Sequence, residues 1–501
     1  GIPLEQLTNR FQQDRRKVKP FEPILLLNDM PFDQVARIEA QLMHWPGLEI
    51  VTRSKRYYPE GKEFAHILGY VAEANEQELA ADPYLALGDT VGKQGLEYVF
   101  EQRLRGHKGL YNVEVDVLGR SLGKTLVEEP QNGENLQLCL DTKLQKQLAA
   151  LLGDQTGSIV VMEPQTGRLL ALVTNDNNVF VGGLSQKDWV ALRDDPFHPL
   201  QNRAIQSVYP PGSVWKLMMA GLFLKEGISP SFRVVCTGAV KLGNREFRCW
   251  RKGGHGAVDM IQSLLHSCDV YYYVLGEKLG IDRIESFAKA CGFGAPTGID
   301  LPHEKSGLVP SRAWKKRRSG EAWYRGETLN VSIGQGYTLV TPLQMANFVS
   351  SLLNGGKLMK PQLLVDAKPE VRGNIPFSEE ARKLVQEGMR VTADVGTAKV
   401  LRRTDAVIGG KTGTAQVVKI RMVGERRQRT AEMAYLERDH AWIASYGRKD
   451  GKDVVVVVML EHGGGGSSAA GPVARDVYNI LYGTPLGPQP QRAVTRTVRE
   501  D

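Results

Sequence analysis

The sequence predicts an α+β fold: one antiparallel sheet flanked by helices in a large C-terminal domain, preceded by an elongated N-terminal α+β module. Three observations predict it. The chain has 501 residues, 42% hydrophobic and 24% charged, too long for one ordinary domain and too apolar for a disordered chain. Strand-like runs gather at the two ends of the region after residue 132, with a long helical stretch between them. The turn cluster Pro130-Gln131-Asn132-Gly133 precedes the first of those runs and marks a boundary. The expected division is 1–132 for the N-terminal module, 133–484 for the C-terminal domain and 485–501 for a disordered tail of prolines and charges.

Each element has its own warrant. Phe32 to Leu42 sets Val35, Ile38 and Leu42 on one helical face. Short strand-like pieces (Glu49 to Arg53, Leu110 to Val117) alternate with polar helices such as Asn75 to Ala81. Asn135 to Leu140 alternates as a strand, and Asp141 or Thr142 caps a helix reaching about Leu152. Ser158–Met162 and Leu169–Val173 flank Glu163-Pro164-Gln165-Thr166-Gly167, which predicts a hairpin. Apolar-rich helical segments follow at 214–224, 258–280, 282–291, 342–353 and 378–393. Strands return at 405–418, 441–447 and 453–461, the last two joined around Lys449-Asp450-Gly451-Lys452, and a helix from about Pro472 to Leu481 closes the domain.

Lys and Arg total 64 against 56 Asp and Glu, a net charge of +8. This mild bias suits an anionic partner such as membrane or cell-wall polymer and does not demand nucleic acid. The longest apolar run, Val454 to Leu460, is far short of the roughly 20 residues a membrane span needs. The opening Gly1-Ile2-Pro3-Leu4 has no initiator Met and no signal-peptide pattern, as expected of an N-terminus trimmed of a membrane anchor. The basic runs Lys315 to Arg318 and Lys419 to Arg429 read as solvated loops, with contact to anionic lipid or glycan as the alternative.

The five cysteines, an odd and sparse count in 501 residues, are not a disulfide framework. Cys236, Cys249, His255 and Cys268 together offer the thiolates and imidazole that tetrahedral Zn²⁺ takes. A Cys236–Cys249 disulfide, or independent small buried residues, are the alternatives.

The chemistry concentrates in three short motifs. Pro210-Pro211-Gly212-Ser213-Val214-Trp215-Lys216 opens an apolar helix, with Ser213 in its first turn and Lys216 one turn later on the same face. Serine becomes a nucleophile when a base lies within reach, and a lysine buried beside an apolar helix loses its proton more readily. The helix start also offers backbone N–H groups to a developing oxyanion. Ser267-Cys268-Asp269 lies between helices, and Lys411-Thr412-Gly413-Thr414 in a glycine-rich strand that something can approach closely. Lys411 is in no phosphate loop, because no G-x-x-x-x-G-K-[ST] precedes a helix here.

S-x-x-K, S-x-D and K-T-G in that order, on helix, loop and strand, resemble the signature of penicillin-binding proteins and serine β-lactamases. Flanking text resembles the elongation-type class B penicillin-binding proteins of Gram-negative bacteria. It includes Arg56-Tyr57-Tyr58-Pro59, His66-Ile67-Leu68-Gly69-Tyr70-Val71, Val91 to Glu97, Leu200 to Lys216 and Asn330 to Tyr337. The resemblance spans roughly residues 50–482. It implies a penicillin-binding, β-lactamase-like transpeptidase domain on a pedestal, acting on the periplasmic side of the inner membrane from a single N-terminal anchor.

It further implies a peptidoglycan D,D-transpeptidase of cell elongation, and a target of β-lactams. Ser213 is then the nucleophile and Lys216 its base. Ser267 relays a proton to the leaving amine with Lys411, and Asp269 stands where many relatives carry Asn. Thr412, Gly413 and Thr414 bind substrate, and the N–H groups of Ser213 and Thr414 form the oxyanion hole. No catalytic cofactor is implied. The resemblance adds a structural zinc on Cys236, Cys249, His255 and Cys268 that orders the Ser267 loop. Expected partners are stem peptides, a membrane glycan polymerase and a shape-determining scaffold protein met by the N-terminal module. The aromatics Trp215, Tyr271 to Tyr273, Trp314, Trp323, Tyr324 and Tyr337 are expected in core or groove wall. Two alternatives stay open: a serine β-lactamase, and a non-catalytic β-lactam sensor or scaffold. Glu327 to Asn330 is superficially like the E-x-x-L-N of one lactamase class but one residue short, and a lactamase has no place for the N-terminal module.

Overall fold

The computed structural model of the chain describes residues 4–16, 24–27, 30–52, 55–117, 121–174, 186–418, 422–423, 426–427 and 430–483. They fall into two compact units. The first takes the chain up to Pro59 and Tyr70–Asn135; the second takes Glu60–Gly69 and everything from Leu136 on. A short piece from within the N-terminal stretch therefore belongs to the second unit. Its helix Gly61–Leu68 buries Phe64, Ala65 and Ile67, and Gln145 Nε2 donates to Glu63 O at 3.1 Å.

In the first unit, the helix Glu76–Ala81 starts where Asn75 and Glu78 bond each other's backbone N–H, a reciprocal cap. Two antiparallel ribbons pair Val71–Glu73 with Thr90–Gly92 and Leu110–Val115 with Ser121–Glu128. The helix expected to reach Leu42 stops at Glu39 and gives way to a 3₁₀ turn over Leu42–His44; none of its residues is buried, so no packing extends it. Residues 49–52 form no strand.

The second unit is built on five antiparallel strands: β1 (Gly157–Met162), β2 (Leu169–Thr174), β3 (Val407–Ala415), β4 (His440–Lys449) and β5 (Lys452–Leu460), in the order β3-β4-β5-β1-β2. The predicted sheet closed by both chain ends is present: Val457 pairs with Val160 across β5 and β1. Helices named here are α1 (Thr142–Leu152), α2 (Lys216–Lys225), α3 (Met260–Leu265), α4 (Asp269–Leu279), α5 (Pro342–Leu353), α6 (Glu379–Val395) and α7 (Gly471–Leu481). Strand alternation divides β5 between two layers. Val454, Val456, Val458 and Leu460 share a core with Leu148 of α1 and Val477 of α7. Val455, Val457 and Met459 face the other way, where α5 packs on β5 and β1. Covered on both faces, the strand reads as a continuous apolar run rather than an alternating one.

Most expected elements stand where periodicity put them; Asp141 caps α1 by accepting from Leu144 N–H at 2.8 Å. Two differ. Asn135–Leu140 forms only an isolated bridge, Leu138 to Leu364, because it lies beside irregular chain rather than a strand. The apolar stretch 258–280 is broken into α3 and α4 by Ser267. The predicted tail 485–501 and most of Lys419–Arg429 lie outside the described residues; what is described there is a two-residue pairing of Met422–Val423 with Arg426–Arg427. No described helix is long and apolar enough to cross a membrane.

Candidate active site

Pro210 and Pro211 end the preceding chain, and Gly212 takes φ 54°, a left-handed turn that glycine adopts without cost. Gly212 to Trp215 then form one 3₁₀ turn before α2, a common way to open a helix. The Lys216 N–H bonds Ser213 O and Val214 O, so Ser213 and Lys216 stand on one continuous turn as the motif predicted. Among the described residues the Ser213 hydroxyl has no hydrogen-bond partner. Such looseness is usual before substrate tightens a site. Lys216 is fully buried because α2 is apolar on every side.

The Lys216 ammonium reaches across to the S-x-D turn. Its Nζ donates to Asp269 Oδ1 at 2.7 Å and Ser267 O at 2.9 Å, and lies 3.4 Å from Ser267 Oγ. Asp269 is the first residue of α4, where a carboxylate suits the positive end of the helix dipole. Ser267 has φ 51°. A left-handed residue commonly ends a helix, but glycine usually takes the position. Serine there carries strain that its side chain must justify.

The third motif lies on β3, the edge strand of the sheet. Lys411 Nζ is 2.8 Å from Ser267 Oγ, so one hydroxyl sits between two buried amines. Burial, and then the repulsion of Lys216, hold Lys411 well below the usual lysine pKa, with Asp269 opposing. The edge is brought against the Ser213 turn by missing side chains: a Cβ on Gly212 would stand 2.6 Å from Thr414 O, and one on Gly413 2.8 Å from Pro211 O. Ser213, Lys216, Ser267, Asp269 and Lys411–Thr414 therefore converge on one site.

Five residues outside the three motifs support it. Gln335 Nε2 donates to Thr414 O at 3.1 Å, and neighbouring Gly334 accepts from Gly212 N–H at 2.8 Å. Thr412 Oγ1 bonds Thr397 Oγ1 at 2.8 Å. Gly466 N–H donates to Thr414 Oγ1 at 3.2 Å, and Trp250 N–H to Asp269 Oδ2 at 3.1 Å. Gly334 and Gln335 lie in the stretch Asn330–Tyr337, whose text already stood out; for Thr397, Gly466 and Trp250 no motif pointed to the site.

Beside Asp269, the ligand atoms of Cys236, Cys249, His255 and Cys268 lie within 4.8 Å of one another, and all three sulfurs are free thiols. His255 Nδ1 faces Cys249 Sγ at 3.5 Å and Cys236 Sγ at 3.7 Å. The Cys268–Cys249 hydrogen bond lowers the Cys249 pKa to about 5 and pushes that of Cys268 up. Three buried sulfurs and one half-buried imidazole, all converging, fit a tetrahedral structural site. The Asp269 N–H also points at Cys249 Sγ, 3.4 Å away, which ties the cluster to the S-x-D turn.

Comparison with known proteins finds relatives over most of the chain. Residues 157–479 match the penicillin-binding protein transpeptidase domain, and residues 3–138 the penicillin-binding protein dimerisation domain. The peptidoglycan D,D-transpeptidase MrdA of Acinetobacter baumannii is 35% identical over 474 residues, covering 90% of this chain and 70% of that protein. The solved complex of penicillin-binding protein PBP2 with MreC from Helicobacter pylori superposes with a TM-score of 0.81 at 30% identity, covering 96% of this chain and 92% of that one. A peptidoglycan synthase complex, solved to show how polymerization and crosslinking are coordinated, contains a chain with a TM-score of 0.73 at 32% identity, over 99% and 87%.

Proposed function

This chain belongs to the penicillin-binding protein transpeptidase family, and we propose that it crosslinks peptidoglycan stem peptides in cell elongation with Ser213 as its nucleophile. It is a serine-type D,D-transpeptidase. The observation that carries our assignment of roles is the Ser267 hydroxyl, set between two buried lysines beside the Ser213 turn.

At rest the ionic contact is Lys216 with Asp269, and Lys411 is the amine whose charge is disfavoured. Lys216 passes a proton to Ser267 Oγ while Ser267 gives its own to Lys411. That leaves Lys216 neutral, as a base must be, and Lys411 charged, as a carboxylate holder must be. An arriving substrate carboxylate beside Lys411, Thr412 and Thr414 favours this exchange. Ser213 Oγ then gives its proton to Lys216 and bonds the penultimate D-Ala carbonyl, whose oxyanion meets the N–H groups of Ser213 and Thr414. The C–N bond breaks as Ser267 hands a proton to the departing D-Ala amine and takes its replacement from Lys216, which returns to the neutral form. A neighbouring stem's amine attacks the acyl carbonyl and gives its proton through Ser267 to Lys216; the ester C–O bond breaks and Lys216 returns that proton to Ser213 Oγ, which completes the crosslink. β-Lactams acylate Ser213 in the same way.

The four-residue cluster holds structural Zn²⁺ in our reading, ordering the S-x-D turn and taking no part in bond cleavage. Residues 1–132, apart from Glu60–Gly69, serve as a pedestal on which a membrane glycan polymerase and a scaffold protein dock, and residues 133–484 with Glu60–Gly69 as the transpeptidase domain. The enzyme works on the periplasmic face of the inner membrane. The solved complexes of relatives support the partners, and the donor set supports the metal.

Intact-mass measurement after incubation with penicillin tests the assignment. The wild type is expected to gain one penicilloyl adduct lasting hours, and Ser213→Ala none. Turnover within seconds would make it a β-lactamase instead, and labelling of Ser213→Ala would remove Ser213 from the mechanism. Elemental analysis of the same sample should give one zinc per chain, lost in Cys249→Ser.

A further inference from the structure

The basic run Lys315–Arg318 is not a loop: it lies in a helix, Arg312–Ser319, capped by Ser311 and ended by Gly320 at φ 73°. Its cations are used differently. Lys315 is buried, bonds Glu327 at 2.6 Å, and lies 4.0 Å from the centre of the Tyr324 ring. Arg312 is paired with Asp282 at 2.9 Å, and Lys316 Nζ donates to Gly320 O at 3.1 Å. Arg317 and Arg318 are exposed and have no carboxylate partner among the described residues. The Arg318 guanidinium stands 5.2 Å over Trp314, and Trp314 packs at 4.9 Å on Tyr337, which is 37% exposed. Residues 314, 317 and 318 share one helical face. Tyr337 continues directly from Gly334 and Gln335, which touch the Ser213 turn and Thr414 O. The face of two unpaired arginines and two aromatic rings thus adjoins the cleft wall.

We propose that Trp314, Arg317, Arg318 and Tyr337 form a subsite for the free carboxylates of the donor stem peptide, upstream of its D-Ala-D-Ala end. The proposal rests on the transpeptidase reading above. In this proposal a donor whose terminal carboxylate meets Thr412 and Thr414, and whose scissile carbonyl meets Ser213, runs on past Gln335, which bonds Thr414 O at 3.1 Å. An extended peptide advances roughly 3.3 Å per residue, so residues two or three upstream come within reach of the arginine side chains. Guanidinium groups recognise planar carboxylates with paired N–H donors, and stacking on an aromatic face pre-orders Arg318 for that role.

The test is competition for fluorescent penicillin labelling of the full chain. The competitors are a D-Ala-D-Ala pentapeptide with free stem carboxylates and its twin with those upstream carboxylates amidated. Arg317→Glu/Arg318→Glu is expected to weaken the acidic competitor at least about tenfold, an effect of about 1.4 kcal/mol, and to leave the amidated one unchanged. Equal competition by the acidic peptide in both proteins overturns the proposal. So does equal loss for both peptides, which would mean general damage. Binding of anionic-lipid vesicles that vanishes in the variant, with peptide competition intact, would make the face a membrane contact instead. Failure of the wild type to take penicillin at all would sink the transpeptidase reading, a separate result.

Discussion

Ser267 shows at single-residue scale how strain and chemistry coincide. Its φ of 51° costs a non-glycine residue about 1–2 kcal/mol, and the hydroxyl it aims is the one shared by Lys216 and Lys411. Ser267→Gly and Ser267→Ala should both lose penicillin acylation, yet the glycine variant should melt about 1–2 °C higher than the alanine one, as relief of about 1 kcal/mol in a domain of this size predicts; equal melting would place the strain elsewhere. Gly212→Ala puts a Cβ 2.6 Å from Thr414 O at a positive φ. We expect acylation at least about a hundredfold slower, more than 2.7 kcal/mol of barrier, measured by stopped-flow labelling. His440 offers a pH signature. Burial, then its neighbour His462, lower its pKa to about 3, and its Nδ1 accepts the His462 N–H at 3.1 Å. The unfolded chain binds this proton below about 6.5 and the folded one does not, so the group's contribution is complete above that pH and falls away on acidification towards 3. Between pH 7.5 and 5, His440→Gln should lose about 2 kcal/mol less stability than the wild type, read from urea unfolding; parallel losses would refute it.

At the scale of elements, the sheet edge and the two loops facing it form one device. β3 brings Lys411 to Thr414 to the Ser213 turn only because glycines remove the side chains between them. The break between α3 and α4 delivers Ser267 and Asp269 from the other side. The thiol–imidazole cluster grips that break through Cys268 and the Asp269 N–H. With the proposed zinc bound there, chelation should raise hydrogen exchange at residues 266–270 and slow acylation, leaving exchange in β4 and β5 unchanged. Unchanged exchange at the turn would deny the cluster its ordering role.

At the scale of the molecule, sequence order and spatial unit part company at Glu60–Gly69. This segment lies inside the N-terminal stretch, yet its helix packs against α1 and β2. A chain beginning at Leu136 should be less stable than one that retains Glu60–Gly69 through a linker. Two or three buried apolar side chains are lost, each about 1.5–3 kcal/mol, and the difference is readable in the thermal midpoint; equal midpoints would contradict the packing.

The same contrast separates what was legible from what was not. Helices α1, α5 and α6, the β1–β2 hairpin and the β4–β5 pair were visible in residue spacing, because periods of 3.6 and 2 are local consequences of backbone geometry. So were the eight motif residues, because each motif carries its chemistry within four positions. The lowered pKa of Lys411, the left-handed backbone of Ser267, the hydrogen bonds from Gln335, Thr397 and Trp250, and the membership of Glu60–Gly69 were not legible. Each depends on groups far apart in the chain being pressed together away from water. Desolvation, charge repulsion and steric closeness exist only once folding has brought those groups into contact.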